Sequence, residues 1–210
     1  MDGAPTYHMA RGEFDYGSID GDNLFTWDGE AWIGGDHNRL WLKSEGAVRN
    51  GETEDAEIQA LWSRPIASYW DFQAGLRADI EPDSHGYLAL GIEGLAPYTF
   101  ETEATAFLRD DGDLSARLRQ SIDFRLTQRL VLQPHVEANI YAQDDAARNI
   151  GAGFADIDAG LQFRYEITRE VAPYLDFNFT RALGETASLQ RRAGEDPEQA
   201  MLRAGVRLWF

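Results

Sequence analysis

The chain has no cysteine, which removes disulfides and thiolate metal sites from consideration. That is compatible with an oxidising periplasm without requiring one. Methionine is scarce, with three residues, so soft thioether ligands are few. No run of about 18 apolar residues occurs, which excludes a membrane-spanning helix. Positive charge is in deficit: 19 Lys and Arg against 36 Asp and Glu leave a formal net charge of -17. Such a surface repels phosphate backbones, so nucleic acid is not an expected partner; it suits a route for cations better. Met1-Asp2-Gly3 lacks the charged segment, apolar core and small-residue cleavage site of an export signal, and an exported chain is expected to have lost one.

What is present is alternation. A mean hydropathy of -0.44 would by itself describe a soluble protein. A transmembrane barrel, however, shows lipid only every second side chain, so its average stays ordinary. From Leu130 to Gln143 the even positions Leu130, Leu132, Val136, Ala138 and Ile140 are apolar, while Gln133, His135, Glu137 and Asn139 occupy the other face. After a polar gap, Ile157, Ala159, Leu161, Phe163, Tyr165 and Ile167 repeat the pattern against Asp156, Asp158, Gln162, Arg164 and Glu166. Each strand is long enough to cross a hydrocarbon layer when tilted. A soluble sandwich would bury apolar groups on the second face as well, so the division suggests lipid outside and water inside.

The same reading continues along the chain. Strands are expected over 9–16, 24–33, 39–48, 56–66, 70–80, 87–94, 98–108, 114–126 and 171–179, with Asp28-Gly29 suggesting a bulge. Connections near 34–38, 67–69, 95–97, 127–129 and 168–170 are short, and those between them are mostly longer and polar, including 17–23, 49–55 and 182–199. Short periplasmic turns and longer external loops are the habit of outer-membrane barrels. The expectation is one domain over residues 1–210, an antiparallel transmembrane β-barrel of about twelve strands with both termini periplasmic. Trp70, Tyr98 and Tyr174 would contribute to interfacial girdles. The last strand places Leu202, Ala204, Val206, Leu208 and Phe210 on one face, and a terminal Phe there resembles the assembly signal of outer-membrane proteins.

Several longer strings stand in order along the chain: Asp-His-Asn-Arg-Leu-Trp-Leu-Lys-Ser-Glu-Gly at 36–46, Ala-Glu-Ile-Gln-Ala-Leu-Trp-Ser-Arg at 56–64 and Gly-Leu-Ala-Pro-Tyr at 94–98. Leu-Thr-Gln-Arg-Leu-Val-Leu-Gln-Pro at 126–134, Arg-Tyr-Glu-Ile at 164–167 and Ala-Gly-Glu-Asp at 193–196 follow. With these strings the chain resembles, over nearly its whole length, the copper resistance protein B family of outer-membrane proteins. The resemblance implies a non-enzymatic role in copper tolerance at the outer membrane, moving or sequestering copper ions between periplasm and exterior. Lipid and periplasmic copper-binding proteins are the implied partners. Family members usually carry a Met- and His-rich segment before the barrel. Here only Met1, Met9 and Met201 occur, residues 1–8 read as a remnant of that segment, and copper binding is expected to be weak or transient.

Four metal-ligand candidates follow. His135 shares a face with Glu137, a pair able to hold a cation, although a histidine bonded into a lumen network is the plainer reading. His8-Met9 could be a soft entrance. His37 and His85 read as ordinary solvated residues. Inner carboxylates could form a cation path, while inner arginines could neutralise it, and the mixed signs favour a network that plugs the barrel. A general pore is the alternative. A barrel hydrolase would need Ser63 or Ser121 beside a histidine, and neither has one nearby in sequence.

Overall fold

A computed structural model describes residues 5–19, 21–145 and 148–210. The strands are β1 (Tyr7–Ile19), β2 (Asp22–Gly34), β3 (Arg39–Arg49), β4 (Glu52–Ala67), β5 (Trp70–Glu81), β6 (His85–Ala96) and β7 (Phe100–Arg109). They continue as β8 (Leu114–Ser121), β9 (Phe124–Arg125), β10 (Leu130–Tyr141), β11 (Gly153–Tyr165), β12 (Val171–Ala182) and β13 (Glu198–Trp209). β8 and β9 both pair with β10 and are two pieces of one wall strand, so the sheet has twelve staves. Every neighbouring pair is antiparallel, and β13 returns to β1, which closes the barrel and leaves no free edge. Ala10 and Phe210 exchange two backbone hydrogen bonds of 2.8 Å at the seam.

The alternation in the sequence is the inside–outside division of this wall. Leu40, Leu76, Leu88, Leu90, Leu175 and Phe177 each expose more than half of their surface, whereas Glu57, Gln73 and Asp176 on the opposite parity are buried. For a soluble protein that would be inverted; for a barrel in lipid it is the required arrangement. The start of β1 and the end of β13 lie at one end, the periplasmic end by the outer-membrane rule. The turns at that end are short, as expected.

Several expectations need correction. The loops expected over 17–23 and 49–55 are largely strand: β3 and β4 meet at Asn50-Gly51, both at positive φ (50° and 89°), the backbone of a tight hairpin. Asp28 and Gly29 pair in continuous register with β1 and β3, so no bulge lies there; the register shifts fall at Ala47/Val48, Ala56/Glu57, Pro65/Ala67 and Asn139/Ile140. The polar stretch after β12 contains a helix, α1 (Gly184–Ala193), ended by Gly194 at φ 84°. Thr186 on α1 accepts a 2.9 Å hydrogen bond from the Gly151 N–H, tying the helix to the 142–152 connection. Tyr174 does not join a girdle: it is buried inside the barrel, its hydroxyl donating to Asp15 at 2.8 Å. Tyr98, by contrast, is 87% exposed at the periplasmic end. Of the expected remnant at 1–8, residues 1–4 lie outside the described residues, and Tyr7 and His8 are already part of β1.

The lumen is not uniformly polar. Trp41, Leu61, Tyr87, Ala89 and Phe107 form a buried apolar cluster against the wall from β3 to β7, with Met9 and Trp32 packed on it. The guanidinium of Arg77 lies over the rings of Tyr87 and Phe107, at 5.0 and 4.8 Å. This fills one side of the barrel as the side chains of a small barrel do. The rest of the lumen stays open.

Candidate functional site, an acidic lumen

A cavity of about 770 Å³ occupies that open part, with Trp41 and Met9 of the cluster on its border, and among the described residues lining it carboxylates outnumber cationic side chains by fourteen to six. The ion-pair network therefore lines the lumen rather than plugging it throughout. Four of these carboxylates, with Asp79 beyond the cavity, stand in register on consecutive strands: Glu13 opposite Asp28, Asp28 opposite Glu45, Glu45 opposite Glu57, and Glu57 opposite Asp79. Because barrel strands are staggered, the row climbs from the middle of β1 to near the external end of β5. There Asp79 faces His85 across the ladder, and His85 Nδ1 lies 3.1 Å from Asp110 Oδ1.

Like charges set directly opposite each other destabilise a sheet, and arginines from β5, β8 and β13 relieve most of this row. Arg117 pairs with Glu45 and reaches Glu57 at 3.1 Å, and Arg119 meets Glu45 at 2.5 Å and Glu137 at 2.6 Å. Arg77 bridges Glu57 at 2.7 Å and Asp79 at 2.6 Å, and Arg207 holds Glu13 at 2.5 Å. Lys43 lies between Glu93 and Glu103, 3.0 Å from each. Asp28 is different. Among the described residues it has no ion pair and no side-chain hydrogen bond, and it is exposed to the cavity.

His135 and Glu137 both face this cavity, but their partners differ. Glu137 accepts from Arg119 at 2.6 Å and from Asn139 at 3.0 Å, so both of its oxygens are engaged. The imidazole of His135 lies over Gly160, where an added Cβ would come within 2.2 Å of Nε2. It extends across β11 toward β12, ending 3.9 Å from Asp176 Oδ1. The sequence places Asp176 among the inner carboxylates of a cation path but not beside His135; only the register that aligns β10, β11 and β12 brings the two near. His8 and Met9 are adjacent on one strand and so point to opposite faces: Met9 packs inside on the apolar cluster, and His8 is exposed. They do not form one ligand pair.

His37 is exposed in the β2–β3 turn. His85, Asp110 and Asp111 bring three ligand atoms within 4.8 Å of one another at the external rim, but Arg109 already holds Asp111, at 2.7 Å. Ser121 stands opposite His135 in the ladder, yet its hydroxyl donates to Glu101 at 3.4 Å and the imidazole turns the other way. Ser63 is fully buried and bonds Asp71 at 3.4 Å. Neither serine has the hydrogen-bonded base that nucleophilic catalysis needs.

A closed antiparallel barrel with a lipid-facing exterior and an ionised, water-accessible interior defines an outer-membrane β-barrel protein. Solved structures agree on the fold. A NanC porin superposes with TM-score 0.60 at 13% identity, covering 96% of this chain and 99% of that one. A KdgM porin gives 0.57 at 10% identity, covering 94% and 98%. The family model described as Copper resistance protein B precursor (CopB) matches residues 6–210, and the chain belongs to that family. The Copper resistance protein B of Escherichia coli is 43% identical over all 210 residues, which span 71% of that relative. A Copper resistance protein B homolog of Pseudomonas syringae pv. tomato (strain ATCC BAA-871 / DC3000) is 41% identical over the same share. The protein is thus a non-enzymatic barrel of the outer membrane, associated with copper resistance.

Proposed function

We propose that the barrel passes or transiently holds cations, copper among them, between the periplasm and the exterior. The observation that carries this reading is the in-register row Glu13, Asp28, Glu45, Glu57 and Asp79 on the wall of an acidic lumen. A passage lined by one sign of charge between low-dielectric walls concentrates the opposite ion. The fixed arginines anchor the carboxylates, and the excess negative charge is left to mobile counter-ions. His135 is a wall contact along this route, and Glu137 acts by holding Arg119 in place. Copper reaches the periplasmic mouth, beside Met9, from periplasmic copper-binding proteins, while lipid covers the apolar exterior. The donors inside are mainly hard oxygens, so Cu(II) is favoured over Cu(I), and residence is short.

The test is electrical. In planar bilayers with a salt gradient, the reconstituted barrel is expected to show a reversal potential of cation-selective sign, and Cu(II) added on one side is expected to enter barrel-bearing vesicles. Anion selectivity, or copper entry no faster than that of a neutral solute, would leave a general pore as the better description.

A further inference from the structure

Asp176 is 2% exposed, yet only one of its oxygens is satisfied: Oδ2 takes Arg203 Nη2 at 2.5 Å, while the buried Oδ1 has no hydrogen-bond partner. A buried carboxylate oxygen without a donor costs free energy. The ionisable nitrogen facing it is His135 Nε2, at 3.9 Å, beyond hydrogen-bonding distance. That separation does suit a metal ion between them. Bonds from a borderline divalent ion to imidazole nitrogen and carboxylate oxygen are about 2.0–2.2 Å each, so two of them span 3.9 Å at an open angle. The surroundings hold both ligands in that pose. Gly160 leaves room for the ring, which any side chain at that position would displace. Arg203 fixes the carboxylate through its other oxygen, the kind of outer contact that orients metal ligands.

We infer that His135 Nε2 and Asp176 Oδ1 form a two-residue site for a borderline divalent cation such as Cu(II), with its remaining positions open to the lumen. Imidazole with carboxylate suits this class of ion, whereas Ca(II) and Mg(II) prefer all-oxygen shells. Two protein ligands hold an ion in passing rather than permanently. The site deepens the cation-path reading and rests on it, since the ion reaches His135 through the lumen.

The experiment is pulsed electron paramagnetic resonance of Cu(II) on the whole chain folded in phospholipid, with folding checked by heat-modifiable migration. With His8, His37 and His85 all changed to Gln, His135 is the sole remaining imidazole, and the nitrogen modulation of a bound imidazole is expected to persist. Adding His135→Gln should abolish it. Asp176→Asn should weaken Cu(II) binding by roughly tenfold or more, and Gly160→Ala, by displacing the ring, should do the same with both ligand residues kept. Absence of imidazole modulation in the triple variant, or unchanged Cu(II) affinity in folded His135→Gln, overturns the site. Because this readout needs no flux, a barrel that binds Cu(II) through His135 but shows no cation selectivity would refute the route and leave the site standing.

Discussion

Asp28 stands directly opposite Glu45 across the β2–β3 ladder, and only one of the two is neutralised. Glu45 takes Arg117 and Arg119. Asp28, with Glu13 on its other side, takes no ion pair among the described residues. A sheet selected for stability alone would not set three carboxylates side by side, because opposed like charges each cost a few tenths of a kcal/mol to about 1 kcal/mol. Function that requires such strain is commonly held at the expense of stability. Asp28→Asn is therefore expected to raise barrel stability by up to about 1 kcal/mol in urea unfolding from vesicles while reducing cation selectivity in bilayers. A variant that is stabilised with selectivity intact would take Asp28 out of the route.

The arginines should behave in the opposite way. Arg117 serves Glu45 and the buried Glu57 together, so Arg117→Met leaves carboxylates in the interior with less compensation. Breaking a buried pair from one side costs about 3–5 kcal/mol. Arg11, one-third exposed and 3.3 Å from Glu30, is the control, and its loss should cost about 1 kcal/mol or less. Equal effects in unfolding from vesicles would mean that the lumen screens its charges like bulk water.

The exterior gives a third test. Leu132 and Phe163 face each other across β10 and β11 on the outer wall, and Val206 lies on the outer face of β13. Arginine at any of the three is expected to cost up to about 2–4 kcal/mol, the full amount applying at the bilayer midplane. Thr180→Arg, inside the barrel beside Asp158, should cost less, since the new charge meets water and a carboxylate. Similar tolerance on both faces would contradict the assignment of the wall.

Alternation exposed the barrel because lipid and lumen impose opposite demands on successive residues, and that demand is local. It failed where the environment stopped alternating. Beyond the membrane both faces of a strand are wet, so Glu52–Asp55 read as loop although the β3–β4 ladder continues through most of them. Inside, Tyr174 and the cluster around Leu61 are apolar or aromatic at positions expected to be polar, because small barrels fill part of their own interior. The site was half legible. His135 could be read as a lumen residue from its parity, but its contact with Asp176 spans β11 and depends on the missing side chain of Gly160. No periodicity in one strand carries the register of two others.

The external rim yields a prediction of acid sensitivity. In the β7–β8 turn, hydrogen bonds from Arg109 hold the Asp111 carboxyl down to about 2, and the His85 imidazole, then the Gly86 N–H, hold Asp110 below the usual carboxylate range. Both groups are depressed in the folded state. Their contribution to ordering the turn is therefore complete above the unfolded carboxyl value near 4 and is lost as pH falls through the folded value. Hydrogen exchange at residues 110–113 in vesicles should show protection that is flat from neutral pH to about 4 and fades between about 4 and 2. Arg109→Gln removes the hydrogen bonds that hold the Asp111 carboxyl down, so the fade should move up toward about pH 4. An unchanged profile in Arg109→Gln would show that the turn is ordered by its backbone hydrogen bonds, such as Arg109 N–H to Asp113 O at 2.8 Å, and not by these carboxylates.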